Sequence, residues 1–226
     1  MDLDWKQIAR MIDISSVKAE STIHEIIRMT EVAKHFRFIC AFAMPCFTKK
    51  LVELLSGEKD IMVGGVVGFP SGADTTTMKI ANAKEMMAAG VDELDMVINV
   101  QALKNRDYEM VKDDIRRIRE IADKRIMKVI LEVNCLTNDE IQKGAQLAVE
   151  CGADFVKTGT GWMTAPTTVE HIHLIHDAIG ETARIKAAGG VRTLAQMEAM
   201  IEAGCTRFGI GVRSTKSILR EVGADV

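Results

Sequence analysis

The chain of 226 residues lacks the features that mark secreted, membrane-spanning and nucleic-acid-binding proteins. No apolar run is long enough to span a membrane, and residues 1–6 are too charged to begin a secretory signal. No block of like charge occurs either, since 29 basic and 32 acidic residues leave a net charge of -3. We therefore expect neither nucleic acid nor a membrane surface as a partner, whereas a small anionic ligand is compatible with this balance.

The sequence also lacks a cysteine or histidine pattern that would form disulfides or bind a metal. Its five cysteines, an odd number without a C-x-x-C pair, predict free thiols and a reducing, cytoplasmic location. Cys40 and Cys135 lie near predicted strand ends, where they could line a pocket or serve as small hydrophobic residues. His171, His173 and His176 follow one another at spacings of two and three on one predicted helix, so they cannot all face one ion. We predict no metal and no other cofactor.

What the chain does contain is eight apolar runs, each followed by a helical pattern, and a hydrophobic content of 47%. The predicted strands cover residues 8–14, 36–42, 61–69, 93–99, 126–133 and 206–210, together with lysine-containing runs inside residues 154–161 and 184–193. The predicted helix starts are Ser21 or Thr22, Pro45, Asp74 and its following threonines, Asp107, Asn138, Thr167 or Thr168, Thr193, and Ser214 or Thr215. This count predicts an α/β fold, a (β/α)₈ TIM barrel formed by residues 1–226 as a single domain. A doubly wound open sheet is the alternative, although it usually has fewer strands.

The sixth and seventh predicted strands each carry a lysine, Lys157 and Lys186, just before the strand ends. Burial disfavours an ammonium group, and a second ammonium nearby disfavours it further, so Lys157 has the profile of a nucleophilic amine. An unperturbed lysine, with a pKa of about 10.4, is a free amine only about once in 2,500 molecules at pH 7. A lysine whose head reaches solvent or pairs with a carboxylate is the alternative.

Asp95 lies between apolar residues in the fourth predicted strand, and a carboxylate there needs a partner. Strand alternation places Asp95, Val97 and Asn99 on one face, which in a barrel would point towards Lys157 and Lys186. We therefore predict that Asp95 is the partner of the two lysines. A structural role beside an arginine or a backbone amide is the alternative.

A phosphate-binding seat is predicted after the seventh and eighth strands, where this fold usually binds phosphate. Gly189 and Gly190 follow the seventh strand, while Gly209 and Gly211 close the eighth and lead into a helix. Arg213 could add a charge-assisted contact. The alternative is that these glycines serve only the turns.

Four segments, residues 68–72, 93–99, 155–158 and 186–193, closely resemble the deoxyribose-phosphate aldolase family, a family of class I aldolases with a (β/α)₈ barrel. The resemblance runs from about residue 12 to 211. It implies that Lys157 forms a Schiff base, that Lys186 lowers the pKa of Lys157 and joins a proton relay, and that Asp95 donates and accepts protons. Thr158, within the Lys157 motif, is placed with the substrate-binding residues.

The reaction implied by the resemblance is the reversible cleavage of 2-deoxy-D-ribose 5-phosphate to D-glyceraldehyde 3-phosphate and acetaldehyde, without a metal, as in deoxyribonucleotide breakdown in the cytoplasm. Sugar phosphate and aldehyde would be its partners, with a homo-oligomer as a further possibility. The alternatives are the same chemistry on a different aldehyde or sugar phosphate, and a non-catalytic sugar-phosphate-binding barrel.

The chain departs from the family pattern at several places. The usual Asp-His-Thr reads Asp13-Ile14-Ser15, and the usual serine after Lys157-Thr158 is Gly159. The usual serine pair after the last strand is Gly211-Val212, and the sequence ends without the carboxyl-terminal tyrosine that some members carry. These departures bear on how the phosphate is held and on the identity of any terminal proton shuttle.

Overall fold

The computed structural model describes residues 3–226, and its strands form one closed parallel barrel in the order β1 to β8. The strands are β1 Ile12–Ser16, β2 Cys40–Ala43, β3 Met62–Val67, β4 Glu93–Val97, β5 Ile126–Ile130, β6 Phe155–Lys157, β7 Arg184–Ala188 and β8 Cys205–Gly211. Each strand pairs in parallel with the next, and β8 pairs with β1. The predicted barrel is therefore confirmed, and the open sheet is excluded.

Ten α-helices are present over residues 3–226, and most of them cover the outside of the barrel. They are α1 Trp5–Ala9, α2 Ile23–Phe36, α3 Pro45–Leu55, α4 Thr76–Ala89, α5 Val100–Lys104, α6 Tyr108–Ala122, α7 Asn138–Glu150, α8 Val169–Ile179, α9 Leu194–Glu202 and α10 Val212–Glu221. A single 3₁₀ turn, Val133–Cys135, follows β5. Within the described range no helix has the length and apolar character that crossing a membrane would require.

Several helices begin where the sequence predicts, because a polar side chain caps the first turn. Thr22, Asp107, Thr168 and Thr193 each accept a hydrogen bond from the backbone N–H three residues later. The predicted capping of α4 is also confirmed, with Thr75 as the residue that accepts the bond. These helices follow loops at the carboxyl ends of the strands, the end of the barrel where this fold builds its sites.

Several predicted boundaries are wrong. The second predicted strand, residues 36–42, overlaps α2, which runs to Phe36, and β2 begins only at Cys40; the fifth, residues 126–133, ends in the structure at Ile130. Residues 8–14 do not form one strand, because Asp4 and Gln7 form a capping box that starts α1, and β1 begins only at Ile12. The last helix begins at Val212 rather than at Ser214 or Thr215, and Gly211 is its N-cap. The fourth strand ends at Val97, and Asn99 instead caps α5, a short helix that the sequence analysis did not predict.

Two apolar clusters fill the interior. The larger one joins the barrel wall to the helices around it and includes Ile14, Leu94 and Phe208. A separate small cluster consists of Cys40, Phe42 and Val66 on β2 and β3. The inside of the barrel is otherwise occupied by charged side chains, which form the site described next.

Candidate active site

Lys157, Lys186 and Asp95 converge inside the barrel. Lys157 and Lys186 are register partners on β6 and β7. The Lys157 Nζ lies 2.8 Å from Asp95 Oδ2, and the Lys186 Nζ lies 2.7 Å from the same oxygen. One carboxylate oxygen therefore bridges two amines, all three side chains being buried.

Four further charged residues complete the cluster, and the sequence analysis did not assign them to the site: Asp13, Glu93, Lys128 and Arg207. Lys128 pairs with Glu93 and, at 2.9 Å, with the second oxygen of Asp95. Asp13 lies 2.5 Å from Lys186 and 2.6 Å from Arg207. The signal that could have found Glu93, Lys128 and Arg207 is the one that identified Lys157, a charged residue inside an apolar strand.

The cluster holds an excess of positive charge. Its cations are Lys128, Lys157, Lys186 and Arg207, and its carboxylates are Asp13, Glu93 and Asp95, so four positive groups face three negative ones. Loss of a single proton from one amine would bring the charges into balance. Because the cluster is buried, its charges are screened less than charges at the surface, and this imbalance favours one neutral amine.

The amine that loses its proton most readily is Lys157. Burial lowers the pKa of Lys157 to about 8; Asp95 opposes this change, and the positive charge of Lys186 adds to it. Lys128 behaves in the opposite way, because Asp95 and Glu93 overcome the effect of burial and raise its pKa. Burial alone would raise the pKa of Asp95, but Lys128, Lys157 and Lys186 outweigh it and hold that pKa well below the usual value. Without substrate, Asp95 is therefore a carboxylate beside three lysines, and Lys157 is the lysine that loses its proton easily.

A cavity of about 870 Å³ opens above the cluster and is lined by Lys157, Lys186 and Asp13 at its base. Its rim includes five residues that were predicted for the phosphate seat: Gly189, Gly190, Gly209, Gly211 and Arg213. No side chain caps the first turn of α10, so the amides after Gly211 are not occupied by a cap. Gly189 and Gly190 also adopt positive φ angles of 97° and 82°, so the turn alternative accounts for part of their presence.

Thr158, which was predicted to bind substrate, is not among the residues that line this cavity. Its side chain is fully buried behind the strand ends. Its hydroxyl accepts a hydrogen bond from the backbone N–H of Ala188 at 2.9 Å and lies 3.0 Å from the carbonyl oxygen of the same residue. The hydroxyl therefore links β6 to β7 and holds Lys157 and Lys186 side by side.

The loop after β6 contributes Thr160 and Gly161 to the cavity lining and is tied to the loop after β1. Trp162 donates its indole N–H to the carbonyl of Val17 at 2.7 Å, and Lys18 donates to the carbonyl of Gly161 at 2.6 Å. The Trp162 ring also packs edge-on against Phe69, with 6.1 Å between the ring centroids. These contacts hold the two loops together beside the cavity.

Glu132 supports the same loop from below. Its backbone adopts a left-handed conformation at φ 56°, which is unfavourable for a residue other than glycine. One of its carboxylate oxygens accepts hydrogen bonds from Thr160, while the other has no partner and faces Gly159. A β-carbon at residue 159 would lie 2.8 Å from that second oxygen, so the departure at Gly159 leaves a buried acceptor without a donor.

The one group with a spacing suited to a metal ion, over the described residues, consists of Asp13, Cys40 and Glu93. These residues do not fit a cation, because Arg207 and two lysines already bind the carboxylates. Burial also raises the pKa of the Cys40 thiol well above its usual value, which disfavours the thiolate that a metal would need. The cluster is therefore an ion-pair network.

Comparisons with known proteins agree with this geometry. Residues 10–220 match the model of the DeoC/LacD family aldolases. A deoxyribose-phosphate aldolase from Exiguobacterium sp. is 43% identical to this chain over 90% of its length and 92% of that protein. Another from Sinorhizobium medicae is 42% identical over 97% of this chain and 88% of that protein. The structure of an Aeropyrum pernix deoxyribose phosphate aldolase, described as a unique tetramer, superposes with a TM-score of 0.88 at 24% identity and covers 98% of this chain and 93% of that one.

Proposed function

The chain belongs to the DeoC/LacD aldolase family, and we propose that it cleaves 2-deoxy-D-ribose 5-phosphate reversibly to D-glyceraldehyde 3-phosphate and acetaldehyde through a Schiff base on Lys157. The observation that carries the chemistry is the excess positive charge around Lys157, because it makes a buried free amine available near neutral pH. The relatives' printed activity supports the substrate.

In the first step, the free amine of Lys157 adds to the aldehyde carbon of the sugar, and the adduct takes up one proton and loses water to give a protonated imine. The imine restores the fourth positive charge of the cluster, so it is a strong electron sink in this environment. A base takes the proton of the hydroxyl on the third carbon, and the bond between the second and third carbons breaks. Its electrons move into the imine and give a neutral enamine, which relieves the charge excess, while the third carbon becomes the aldehyde of the three-carbon product.

The second half returns the enzyme to its starting state. The enamine takes a proton at its terminal carbon, and water then attacks the resulting imine and releases acetaldehyde and the Lys157 amine. Asp95 is suited to move these protons, since one of its oxygens already bridges Lys157 and Lys186 at 2.8 and 2.7 Å. Lys186 acts as the fixed cation that keeps Lys157 reactive.

The glycine-rich side of the cavity is the proposed seat of the phosphate. Gly189, Gly190, Gly209 and Gly211 line the cavity without side chains that would keep a ligand from the backbone, and Arg213 supplies a positive charge on the first turn of α10. Gly211 and Val212 stand where the family usually has two serines, so those two hydroxyl donors are missing from this seat. A different sugar phosphate is therefore the second candidate substrate, and the relative rates of cleavage of several sugar phosphates distinguish the two.

Reduction of the imine tests the mechanism. Acetaldehyde with sodium borohydride should leave an N-ethyl group on Lys157, detected by peptide mass spectrometry, and cleavage activity should disappear in proportion to labelling. Lys157→Ala should be inactive and unlabelled within the cavity, whereas Lys50→Ala, at an exposed lysine of α3, should behave as the parent. Full turnover by the parent with Lys157 unmodified would reject the Schiff-base mechanism.

We further propose that the enzyme works in the cytoplasm as a homo-oligomer. The five cysteines are all free, which suits a reducing compartment. The tetramer described for the Aeropyrum pernix protein supports self-association. Light scattering on the purified protein measures the assembly directly, and a monomer at all concentrations would contradict this part of the proposal.

A further inference from the structure

The cavity has an apolar side that the proposed reaction has not yet used. Phe42 and Val66 line it beside the two active-site lysines and belong to the small apolar cluster on β2 and β3. Phe69 also lines the cavity and packs against that cluster. The glycines and Arg213 of the proposed phosphate seat come from β7, β8 and α10. The two ends of a substrate therefore meet different surfaces.

Phe42 is the part of this apolar side that comes nearest to the reacting amines. The centre of its ring is 4.4 Å from the Lys186 Nζ and 5.9 Å from the Lys157 Nζ. Only 3% of the residue is exposed, so its position is fixed by packing. The ring face also favours a positive charge at its closer neighbour, Lys186.

Gly64 on the neighbouring strand β3 makes room for the ring. A β-carbon at residue 64 would lie 2.0 Å from the Phe42 Cζ and 2.1 Å from its Cε1, well inside the contact distance of two carbon atoms. Gly64 is buried and its φ is not positive, so backbone conformation does not explain a glycine here. The absence of a side chain at residue 64 is what allows a phenyl ring beside the lysines.

We propose that Phe42, seated on Gly64, determines which aldehyde the enzyme accepts as the donor half of its substrate. The proposal rests on the Schiff-base function given above. The carbon next to the imine carbon is two bonds from the Lys157 Nζ, or on the order of 2.5 Å away. The Phe42 ring bounds the space into which that carbon projects. A methylene or methyl group packs against the ring, whereas a hydroxyl group there would lose its hydrogen bonds to water and gain none from the ring.

This geometry gives a physical reason for selecting a 2-deoxy sugar. An apolar wall rejects an added hydroxyl by roughly 100-fold, because such a pocket penalises the hydroxyl only through its lost hydration. The ring also limits size, so a donor with a longer carbon chain than acetaldehyde must displace it. Phe42 thus discriminates by polarity and by volume, and two substitutions of similar size separate these effects.

The experiment compares Phe42→Leu with Phe42→Asn, since leucine and asparagine are similar in size and differ in polarity. The readout is the initial rate of borohydride capture on Lys157 by acetaldehyde, propanal and glycolaldehyde. Both variants should take propanal at least tenfold better relative to acetaldehyde than the parent does. Only Phe42→Asn should capture glycolaldehyde faster relative to acetaldehyde, by about tenfold or more, because only asparagine can form a hydrogen bond with the hydroxyl group. Equal donor ratios in the parent and both variants would overturn the proposal.

Gly64→Ala supplies an independent test that leaves the ring chemically intact. The new methyl group should push the ring towards the amines and slow capture of propanal more than capture of acetaldehyde. Combining Gly64→Ala with Phe42→Leu should restore the parent ratio of propanal capture to acetaldehyde capture. Additive losses of propanal capture in the double variant would contradict the proposed packing of Phe42 against Gly64. Urea unfolding of each variant identifies one that has simply lost its fold.

Capture by aldehydes needs only a reactive Lys157, so failure of this inference is distinguishable from failure of the proposed function. A protein that never forms an imine rejects the function. A protein that forms imines with unchanged donor preference in the variants rejects only the role of Phe42. The KM for D-glyceraldehyde 3-phosphate in the synthetic direction should stay within about twofold of the parent value, because Phe42, on β2, is not one of the residues of the proposed phosphate seat.

Discussion

At the scale of single residues, the titration of Lys157 sets the working pH range. With a pKa of about 8, roughly a tenth of Lys157 is free amine at pH 7 and roughly nine tenths at pH 9. The amine is the reactive form, so the rate of imine capture should rise about tenfold per pH unit below pH 8 and level off above it. Stopped-flow capture of acetaldehyde across pH 6 to pH 10 measures the profile.

Lys186→Met should shift this profile to higher pH. The positive charge of Lys186 helps to lower the pKa of Lys157, and its removal also leaves Asp95 to pair more fully with Lys157. Both changes stabilise the ammonium form. An unchanged midpoint would show that burial alone sets the pKa of Lys157. Aldehyde capture at Lys50, which is exposed on α3, provides a comparison with a surface lysine of the same protein.

Sequence reasoning identified some of the residues in this network but not others. Lys157, Lys186 and Asp95 could be predicted because their motifs are specific and because charges inside apolar runs require partners. Lys128 carries the same signal within β5, yet its role depends on the third dimension, since it contacts Asp95 only once β4 and β5 pair in register. The unpaired oxygen of Glu132 has no sequence signal at all, because it arises from a backbone turn and the missing side chain at Gly159.

At the scale of elements, the contact between the loops after β1 and β6 should affect substrate binding. Trp162→Phe keeps a ring near Phe69 but loses the hydrogen bond to Val17, and Trp162→Ala loses both. A hydrogen bond contributes about 0.5 to 1.5 kcal/mol, so the KM for the sugar phosphate should rise by about twofold to tenfold in Trp162→Phe and further in Trp162→Ala.

The same variants should leave acetaldehyde capture on Lys157 nearly unchanged, because the loop contact lies at the cavity mouth. Met163→Ala is the matched control, since Met163 is an exposed neighbour in the same loop that does not line the cavity. Steady-state kinetics on the sugar phosphate and the aldehyde separate the two effects. Parallel losses for both substrates would mean that the loop acts on the chemistry rather than on binding.

Element boundaries were predicted well where a side chain fixes them. Thr22, Asp107 and Thr193 mark helix starts because their oxygens satisfy free backbone N–H groups, a local effect that the sequence records. The start of α10 was wrong because Gly211 caps it without a side chain, so Ser214 and Thr215 were more conspicuous. The short α1 was missed because five residues carry too little periodicity to distinguish a helix from a strand.

At the scale of the whole molecule, the buried charges also stabilise the barrel. Arg207 on β8 binds Asp13 on β1 and Glu93 on β4, so it crosses the interior between distant strands. Arg207→Met leaves both carboxylates short of a partner and should lower the free energy of unfolding by about 3 to 5 kcal/mol. Urea unfolding followed by circular dichroism measures the loss.

Arg117→Met is the matched control for this prediction. Arg117 lies 2.8 Å from Asp113 on the surface of α6, where solvent screens the pair, so its free energy of unfolding should stay close to the parent value. Similar losses of unfolding free energy in Arg207→Met and Arg117→Met would show that burial of the ion-pair network contributes nothing to the stability of the protein. The overall architecture itself was predictable, because eight strand–helix repeats admit few closed arrangements. The ion pairs of Arg207, which join β8 to β1 and β4, were not predictable.

The bond between Asp13 and Arg207 joins residues 194 positions apart in the chain, across the seam where the barrel closes. During translation, Lys157 and Lys186 leave the ribosome before Arg207 does. A nascent polypeptide lacks the shut barrel that buries these lysines, so their side chains remain ordinary hydrated cations. We therefore expect the ability to capture aldehydes to appear only after β8 has closed the barrel.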